Sequence, residues 1–250
     1  PNGIIYITGP TGSGKSTTLY ATLGDVARPE INIITVEDPV EFRMRGINQV
    51  QVNNKAGMTF AAALRSILRA DPDVVLIGEI RDQETANIAI EASLTGHLVL
   101  STLHTNDAPS AVTRLTEMGV EPFLLSSSLA AVMAQRLARR LCKKCKRQDT
   151  ATEAELRTLG VPHMPDTPLP TIWRPVGCRE CANTGYSGRV AIQQVMGVDS
   201  TMEDLIARGA TSIDIDKAAK EQGMTTLRKD GWQKALQGIT SVEEVLRVTV

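Results

Sequence analysis

Gly9-Pro10-Thr11-Gly12-Ser13-Gly14-Lys15-Ser16-Thr17 follows directly on the apolar run Ile4-Ile5-Tyr6-Ile7. The stretch satisfies G-x-x-x-x-G-K-[ST] in the context that pattern requires, a strand entering a glycine-rich turn with a helix leaving it. Glycines let backbone N–H groups converge on a polyphosphate, because positive φ would strain a residue with a Cβ. Lys15 can then reach the β- and γ-phosphates and Ser16 can offer its hydroxyl to Mg²⁺. A helix from Lys15 to about Ala27 would aim its positive end at the anion. A glycine-rich turn with an accidental lysine is the competing explanation, and it leaves the strand, the helix and the Gly-Lys-Ser-Thr ending uncoordinated. Gly9 through Thr17 are therefore expected to bind a nucleoside triphosphate.

Outward from this loop, the first 140 residues alternate short apolar runs with helical stretches, the pattern of a parallel sheet covered by helices. Strands are expected at Gly3–Thr8, Ile31–Val36, Val74–Gly78 and Leu98–Thr102. Thr59 is placed to cap a helix ending at Ala70 before Asp71-Pro72, and Asp82 to cap one ending at Gly96. Pro109 fits the first turn of a third helix, closed by Gly119. A fourth is expected from Pro122 into the Arg136–Cys142 region. Composition then shifts: residues 142–181 hold all four cysteines and a Pro-rich middle with Pro162, Pro165, Pro168 and Pro170. A strand at Arg189–Val195 and a run of short helices follow, with Gly209, Gly223 and Gly238 as C-terminal caps and Thr240-x-x-Glu243 as a capping box.

The bulk numbers exclude little and direct the reading. The chain has 250 residues, with Lys plus Arg at 27 against 28 for Asp plus Glu and a net charge of −1. That balance gives no electrostatic mandate for nucleic acid. No apolar stretch approaches the ~18 residues of a membrane span, and the start does not resemble a signal peptide, so a cytoplasmic protein is expected. The sequence opens almost inside the P-loop strand, which suggests the C-terminal part of something longer.

Ligands of open α/β sheets sit beyond the C-terminal strand ends, and three such ends carry polar clusters: Thr35–Glu41, Gly78–Asp82 and His97–Thr105. Phosphoryl transfer to water needs a positioned nucleophile and carboxylates that hold Mg²⁺ directly or through water. Glu79, ending the most hydrophobic strand, is assigned to orient the attacking water. Glu37 is assigned to the Mg²⁺ shell or to assist that water, Asp38 to fix its loop, and His104 to sense the γ-phosphate. His97 is given a similar or inter-subunit role, and Arg81 an accessory one. Against these stand plainer readings: Asp38 and Asp82 as helix N-caps, and His97 as a structural hydrogen-bonder.

Cys142-Lys143-Lys144-Cys145 and Cys178-Arg179-Glu180-Cys181 are two C-x₂-C knuckles with 32 residues between them. Two such pairs suit a tetrahedral thiolate cage for structural Zn²⁺. Gly185 and Gly188 would let the backbone fold tightly there, and Lys143, Lys144, Lys146 and Arg179 would offset the cage's charge. Paired spacing argues against four unrelated thiols, and a reducing compartment against disulfides. His163 is a spare ligand that four cysteines make unnecessary, and the intervening span should form a small lobe.

The P-loop, Glu37-Asp38-Pro39, Gly78-Glu79-Ile80-Arg81-Asp82 and Ser101-Thr102-Leu103-His104-Thr105-Asn106 occur in the order and spacing of the secretion ATPases, where they are the Walker A, Asp, Walker B and His boxes. Across nearly the whole chain the sequence resembles the C-terminal ATPase domain of the type II secretion and type IV pilus assembly branch. The resemblance implies an α/β fold with a RecA-like P-loop NTPase core (1–140), a tetracysteine zinc segment (141–187) and a returning strand with a C-terminal helical region (188–250). It implies a homo-hexamer that hydrolyses ATP to move an inner-membrane platform protein, peripherally associated with that membrane through the machine. It also implies arginine fingers from an N-terminal subdomain of the neighbouring subunit, so this stretch alone should bind nucleotide and hydrolyse it poorly. The segments Leu103–Pro109 and Phe60–Arg65 lean toward pilus assembly over secretion. A nucleic-acid translocase on the same ring would need a basic stripe and stacking aromatics. Three Phe, two Trp and three Tyr argue against it, and no nucleic acid is expected. A non-enzymatic zinc module is the third reading.

Overall fold

The computed structural model describes residues 2–164 and 166–249, so Pro165 of the Pro-rich stretch lies outside it. The described residues form two compact units, each assembled from two stretches of chain. One comprises residues up to Ala134 with Val195–Met224; the other comprises Gln135–Gln194 with residues from Thr225 onward.

The first unit is an α/β layer. Strands β1 (Gly3–Thr8), β2 (Ile33–Glu37), β3 (Asn48–Gln51), β4 (Val74–Ile77) and β5 (Leu98–Leu103) are joined by helices α1 (Lys15–Val26), α2 (Phe60–Ile67), α3 (Gln83–Leu94) and α4 (Pro109–Glu117). α5 (Pro122–Ser128) leads into β6 (Leu129–Leu141), and β9 (Tyr186–Gly197) returns the chain to α7 (Ser200–Ala207) and α8 (Ser212–Glu221). The sheet order is β3-β2-β4-β5-β1-β6-β9, and the β3-β2, β2-β4, β4-β5, β5-β1 and β1-β6 pairs are all parallel.

Such strands are apolar on both faces because helices cover both. In β4, Val75 and Ile77 join the core shared with α2 and α3, whereas Val74 and Leu76 join Leu19, Tyr20 and Leu23 of α1 on the other face. Thr59 caps α2 by accepting from the Ala62 N–H at 3.2 Å, and Asp82 caps α3 by accepting from that of Thr85 at 2.8 Å. Asp82 is thus a helix cap.

The fourth helix expected from Pro122 to the Arg136–Cys142 region is a correction. It stops at Ser128, and residues 129–141 are extended. Ser126 and Ser127 donate their hydroxyls back to Phe123 O, and Ser128 to Leu125 O, a competition that weakens a helix end. Beyond them Leu129 to Ala134 pair with the open edge of β1, so sheet pairing overrides the helix propensity of an Ala, Leu and Arg-rich run. β3 was not expected, and β9 is longer than the strand read at Arg189–Val195.

The second unit contains the later part of β6 and the earlier part of β9, an antiparallel pair β7 (Arg147–Thr150) and β8 (Thr171–Arg174), and helices α6 (Glu153–Leu159), α9 (Leu227–Leu236) and α10 (Val242–Val248). Ala151, Leu156, Leu159 and Ile172 of the segment between the knuckles share one core with Trp232, Ala235, Val242 and Val245. Arg174 ties that segment down, bonding Glu155 through both terminal nitrogens, with Asp149 at 3.0 Å and Glu243 at 2.7 Å. The α10 cap falls one residue later than read: Ser241 accepts from the Glu244 N–H, while the Thr240 hydroxyl donates to Arg139 O at 2.8 Å.

Candidate functional site

The turn after β1 closes on itself. Gly12 and Gly14 take φ of 79° and 89°, conformations in which a side chain would be strained. Gly14 opens α1, the Ser13 N–H donates to Pro10 O at 3.2 Å, and Lys15 Nζ folds over the loop to Gly9 O at 2.8 Å and Pro10 O at 3.1 Å. Ser16 and Thr17 are exposed at the start of the helix. A helix N-terminus and an ammonium thus meet at this turn, two of the groups that anion binding uses.

Parallel register carries three other polar groups to the same sheet edge. Thr8 of β1 is level with Leu103 of β5, Ser101 of β5 with Ile77 of β4, and Ile77 with Val36 of β2. The segments carrying His104, Glu79 and Glu37 therefore leave consecutive strands in the order β5, β4, β2, beside the loop that leaves β1. The Thr102 hydroxyl donates to Gly78 O at 2.7 Å and the Ile80 N–H to Thr102 O at 3.2 Å, fixing the Glu79 backbone against β5. The Glu79 carboxylate, largely buried, pairs with Arg81 at 2.6 Å through Oε1 and faces His104 Nε2 at 3.7 Å through Oε2. The hydrogen bond to Glu79 and then its charge push Arg81 up, with a smaller contribution from the Asp38 charge. Glu37 is buried under Tyr20, Thr35 and Gln49. Asp38 is exposed and precedes no helix.

Thr8 and Thr105 clasp the P-loop strand to the His104 segment. Thr8 is fully buried; its Oγ1 accepts the Thr105 N–H at 2.8 Å, lies 2.8 Å from Thr105 Oγ1 and donates to Leu103 O at 3.1 Å. Sequence reading missed this pair. The structure also separates His97 from the group. It precedes β5 at the opposite sheet edge, roughly 20 Å away at strand rise, with Nδ1 bonded to Ala92 O at 2.8 Å and beside Thr95 Oγ1 at 3.2 Å. A γ-phosphate role for His97 is incompatible with that position.

In the second unit the four cysteines converge, their sulfurs all within 4.8 Å of one another. Sγ–Sγ separations are 3.9 Å for Cys142–Cys178, 3.8 Å for Cys145–Cys181 and 3.7 Å for Cys178–Cys181. Four sulfurs at about 2.3 Å from a tetrahedral centre stand about 3.8 Å apart, so the donor set fits a metal. Backbone N–H groups of Gly177, Cys178 and Gly185 point at Cys145 and Cys181 sulfurs at 3.2–3.3 Å, which favours thiolates. Gly185 has no room for a side chain: a Cβ would meet Pro175 Cβ at 2.5 Å. Lys146 reaches from the first knuckle to Gly238 O at 2.7 Å and covers the Trp173 ring at 4.5 Å. His163 stands outside the cluster, 3.3 Å from Thr167 Oγ1.

A family model described as type II/IV secretion system protein matches residues 1–247. The chain belongs to that family. Among curated relatives it is 53% identical over 249 residues to type II secretion system protein E of Aeromonas hydrophila, covering all of this chain and 49% of that protein. It is 52% identical over 250 residues to the type IV pilus assembly ATPase PilB of Thermus thermophilus, covering all of this chain and 28% of that protein. The chain thus spans about half or less of the length of these relatives. Among solved structures, the pilus retraction motor PilT with bound ADP superposes at a TM-score of 0.73 with 27% identity, over 99% of this chain and 61% of that one. The Legionella pneumophila ATPase DotB shares the fold at a TM-score of 0.70. Among the described residues no helix is long and apolar enough to cross a membrane.

Proposed function

We propose that this chain is the nucleotide-hydrolysing part of a six-subunit ring motor that drives type IV pilus assembly by moving an inner-membrane platform protein. The observation that carries the reading is the alignment of four consecutive strand ends, bearing the P-loop, His104, Glu79 and Glu37 on one sheet edge. Family membership and the likeness to a pilus motor that holds ADP support it.

In this reading Gly9–Thr17 grip the phosphates, with Lys15 exchanging its two carbonyl partners for β- and γ-oxygens. Ser16 and Glu37 would hold Mg²⁺ directly or through water, where it would supply positive charge beside the terminal phosphates. Glu79 orients the attacking water. His104 touches the γ-phosphate, Arg81 holds Glu79 until nucleotide arrives, and Asp38 shapes the loop after β2. The cysteines hold one structural Zn²⁺, since four protein ligands leave no open position. Residues 1–140 act as the motor core, 141–187 as the zinc segment and 188–250 as the closing region, of which Val195–Met224 packs with the first unit and the rest with the second. The motor works at the cytoplasmic face of the inner membrane.

Type II secretion is the second reading: secretion relatives are 51–55% identical to this chain and the PilB relatives 52%. Full-length protein would be supplied to one strain lacking its pilus assembly ATPase and to another lacking its secretion ATPase. Restored piliation supports the first reading and restored secretion the second. Absence of Mg²⁺-dependent ATP hydrolysis by the oligomeric full-length protein would defeat both.

A further inference from the structure

The stretch between β2 and β3 is organised around one buried side chain. Glu37 is 4% exposed, and its carboxylate receives three neutral donors. Thr35 Oγ1 at 2.6 Å and Gln49 Nε2 at 3.2 Å share Oε1, whereas Tyr20 Oη donates to Oε2. The division matters because a carboxylate held at one oxygen can still swing about its last side-chain bond. The Tyr20 contact at the second oxygen fixes its plane.

Tyr20 belongs to α1, the helix that the P-loop opens, and lies five residues beyond Lys15. Its hydroxyl also accepts the Glu41 N–H at 3.2 Å, and its ring meets Phe42 edge-on with centroids 4.5 Å apart. Gln49 binds the same stretch from the other side, donating to Phe42 O at 3.1 Å and accepting the Met44 N–H at 2.8 Å. One tyrosine therefore touches the P-loop helix, the carboxylate at the end of β2 and the chain that follows it.

We propose that Tyr20 is a positioning residue: its hydroxyl sets the plane of the Glu37 carboxylate and makes that plane depend on where the P-loop helix sits. The proposal rests on the reading of Glu37 as a group that serves Mg²⁺ or the attacking water. Nucleotide that draws α1 toward the phosphates would shift Tyr20 and reorient Glu37 with it.

The test is a double-mutant cycle on the full-length oligomeric protein with Y20F, E37Q and both together. Y20F removes one oxygen and keeps the ring against Phe42. For a group acting through Glu37, Y20F should lower kcat about tenfold with KM for Mg-ATP within about twofold, and the double variant should be no slower than E37Q. Wild-type kcat in Y20F beside an impaired E37Q overturns the proposal and leaves the role of Glu37 standing. Multiplying effects overturn it as well, because they place the hydroxyl on an independent path. A Y20F protein that fails to melt cooperatively makes the hydroxyl a folding group and likewise overturns it. Unimpaired turnover in E37Q instead strikes the underlying reading of Glu37.

Discussion

His104 Nε2 stands 3.7 Å from Glu79 Oε2, across the boundary between two adjacent parallel strands, while Arg81 occupies the other oxygen at 2.6 Å. Both oxygens of Glu79 thus face nitrogen-bearing groups. Glutamine has the same shape and cannot accept a proton from water. In the full-length oligomer E79Q should bind a fluorescent ATP analogue within about twofold of wild type and lose about 10²–10⁴ in phosphate release. Wild-type turnover in E79Q would remove Glu79 from the chemistry.

Lys15 spends its ammonium on two carbonyls of its own loop, Gly9 O and Pro10 O. Hydrogen bonds of an ammonium are worth about 1.5–3 kcal/mol each, and phosphate oxygens add to them an attraction between opposite charges that neutral carbonyls lack. K15A should therefore weaken ATP binding about 10- to 100-fold by equilibrium titration while its melting temperature stays close to wild type. Unchanged affinity would contradict phosphate binding at this loop.

The thiolate cage carries an optical reporter. Trp173 lies under Lys146, which neighbours Cys145 and also anchors Gly238 O, and both tryptophans of the chain lie in the unit that holds the cysteines. Purified protein should contain one zinc per chain by elemental analysis. Chelation, or C178S, should shift tryptophan emission to the red and lower the melting temperature of that unit. Zinc-free protein with unchanged emission and melting would refute a structural metal.

Glu244 is almost wholly buried, which by itself would raise its carboxyl. Arg247 and Arg139, together with the Arg139 backbone N–H, outweigh that and hold it near 2. A depressed carboxylate contributes its full stability above the unfolded value of about 4.3 and loses it as pH falls through the folded value. Melting temperature should thus decline between about pH 4.5 and 2, and E244Q should flatten that part of the profile while melting lower at pH 7. A wild-type curve parallel to that of E244Q across this window would exclude the linkage.

Local chemistry explains which parts were legible in the sequence. Gly9–Thr17, the Asp82 and Thr59 caps and the apolar strands β1, β4 and β5 carry their instructions within a few residues. So do the C-x₂-C knuckles, because a metal cage is written in spacing. Leu129–Ala134 carry no such instruction: their composition favours helix, and only the vacant edge of β1, more than a hundred residues away, makes them a strand. In sequence His97 reads for a γ-phosphate or an inter-subunit role, and the fold parts it only from the first. His97 and His104 flank the same strand, β5, and only the end that carries His104 lies beside the P-loop. Tyr20 was invisible as a polar contact because its position on α1 reads as core, and only the folded sheet brings Glu37 under its hydroxyl.

The clasp between Thr8 and Thr105 gives two neighbouring strand termini a common hinge pin. Because the buried Thr8 hydroxyl bonds both the backbone and the side chain of Thr105, a displacement of either terminus carries the other, and with it the residue before Thr105, His104.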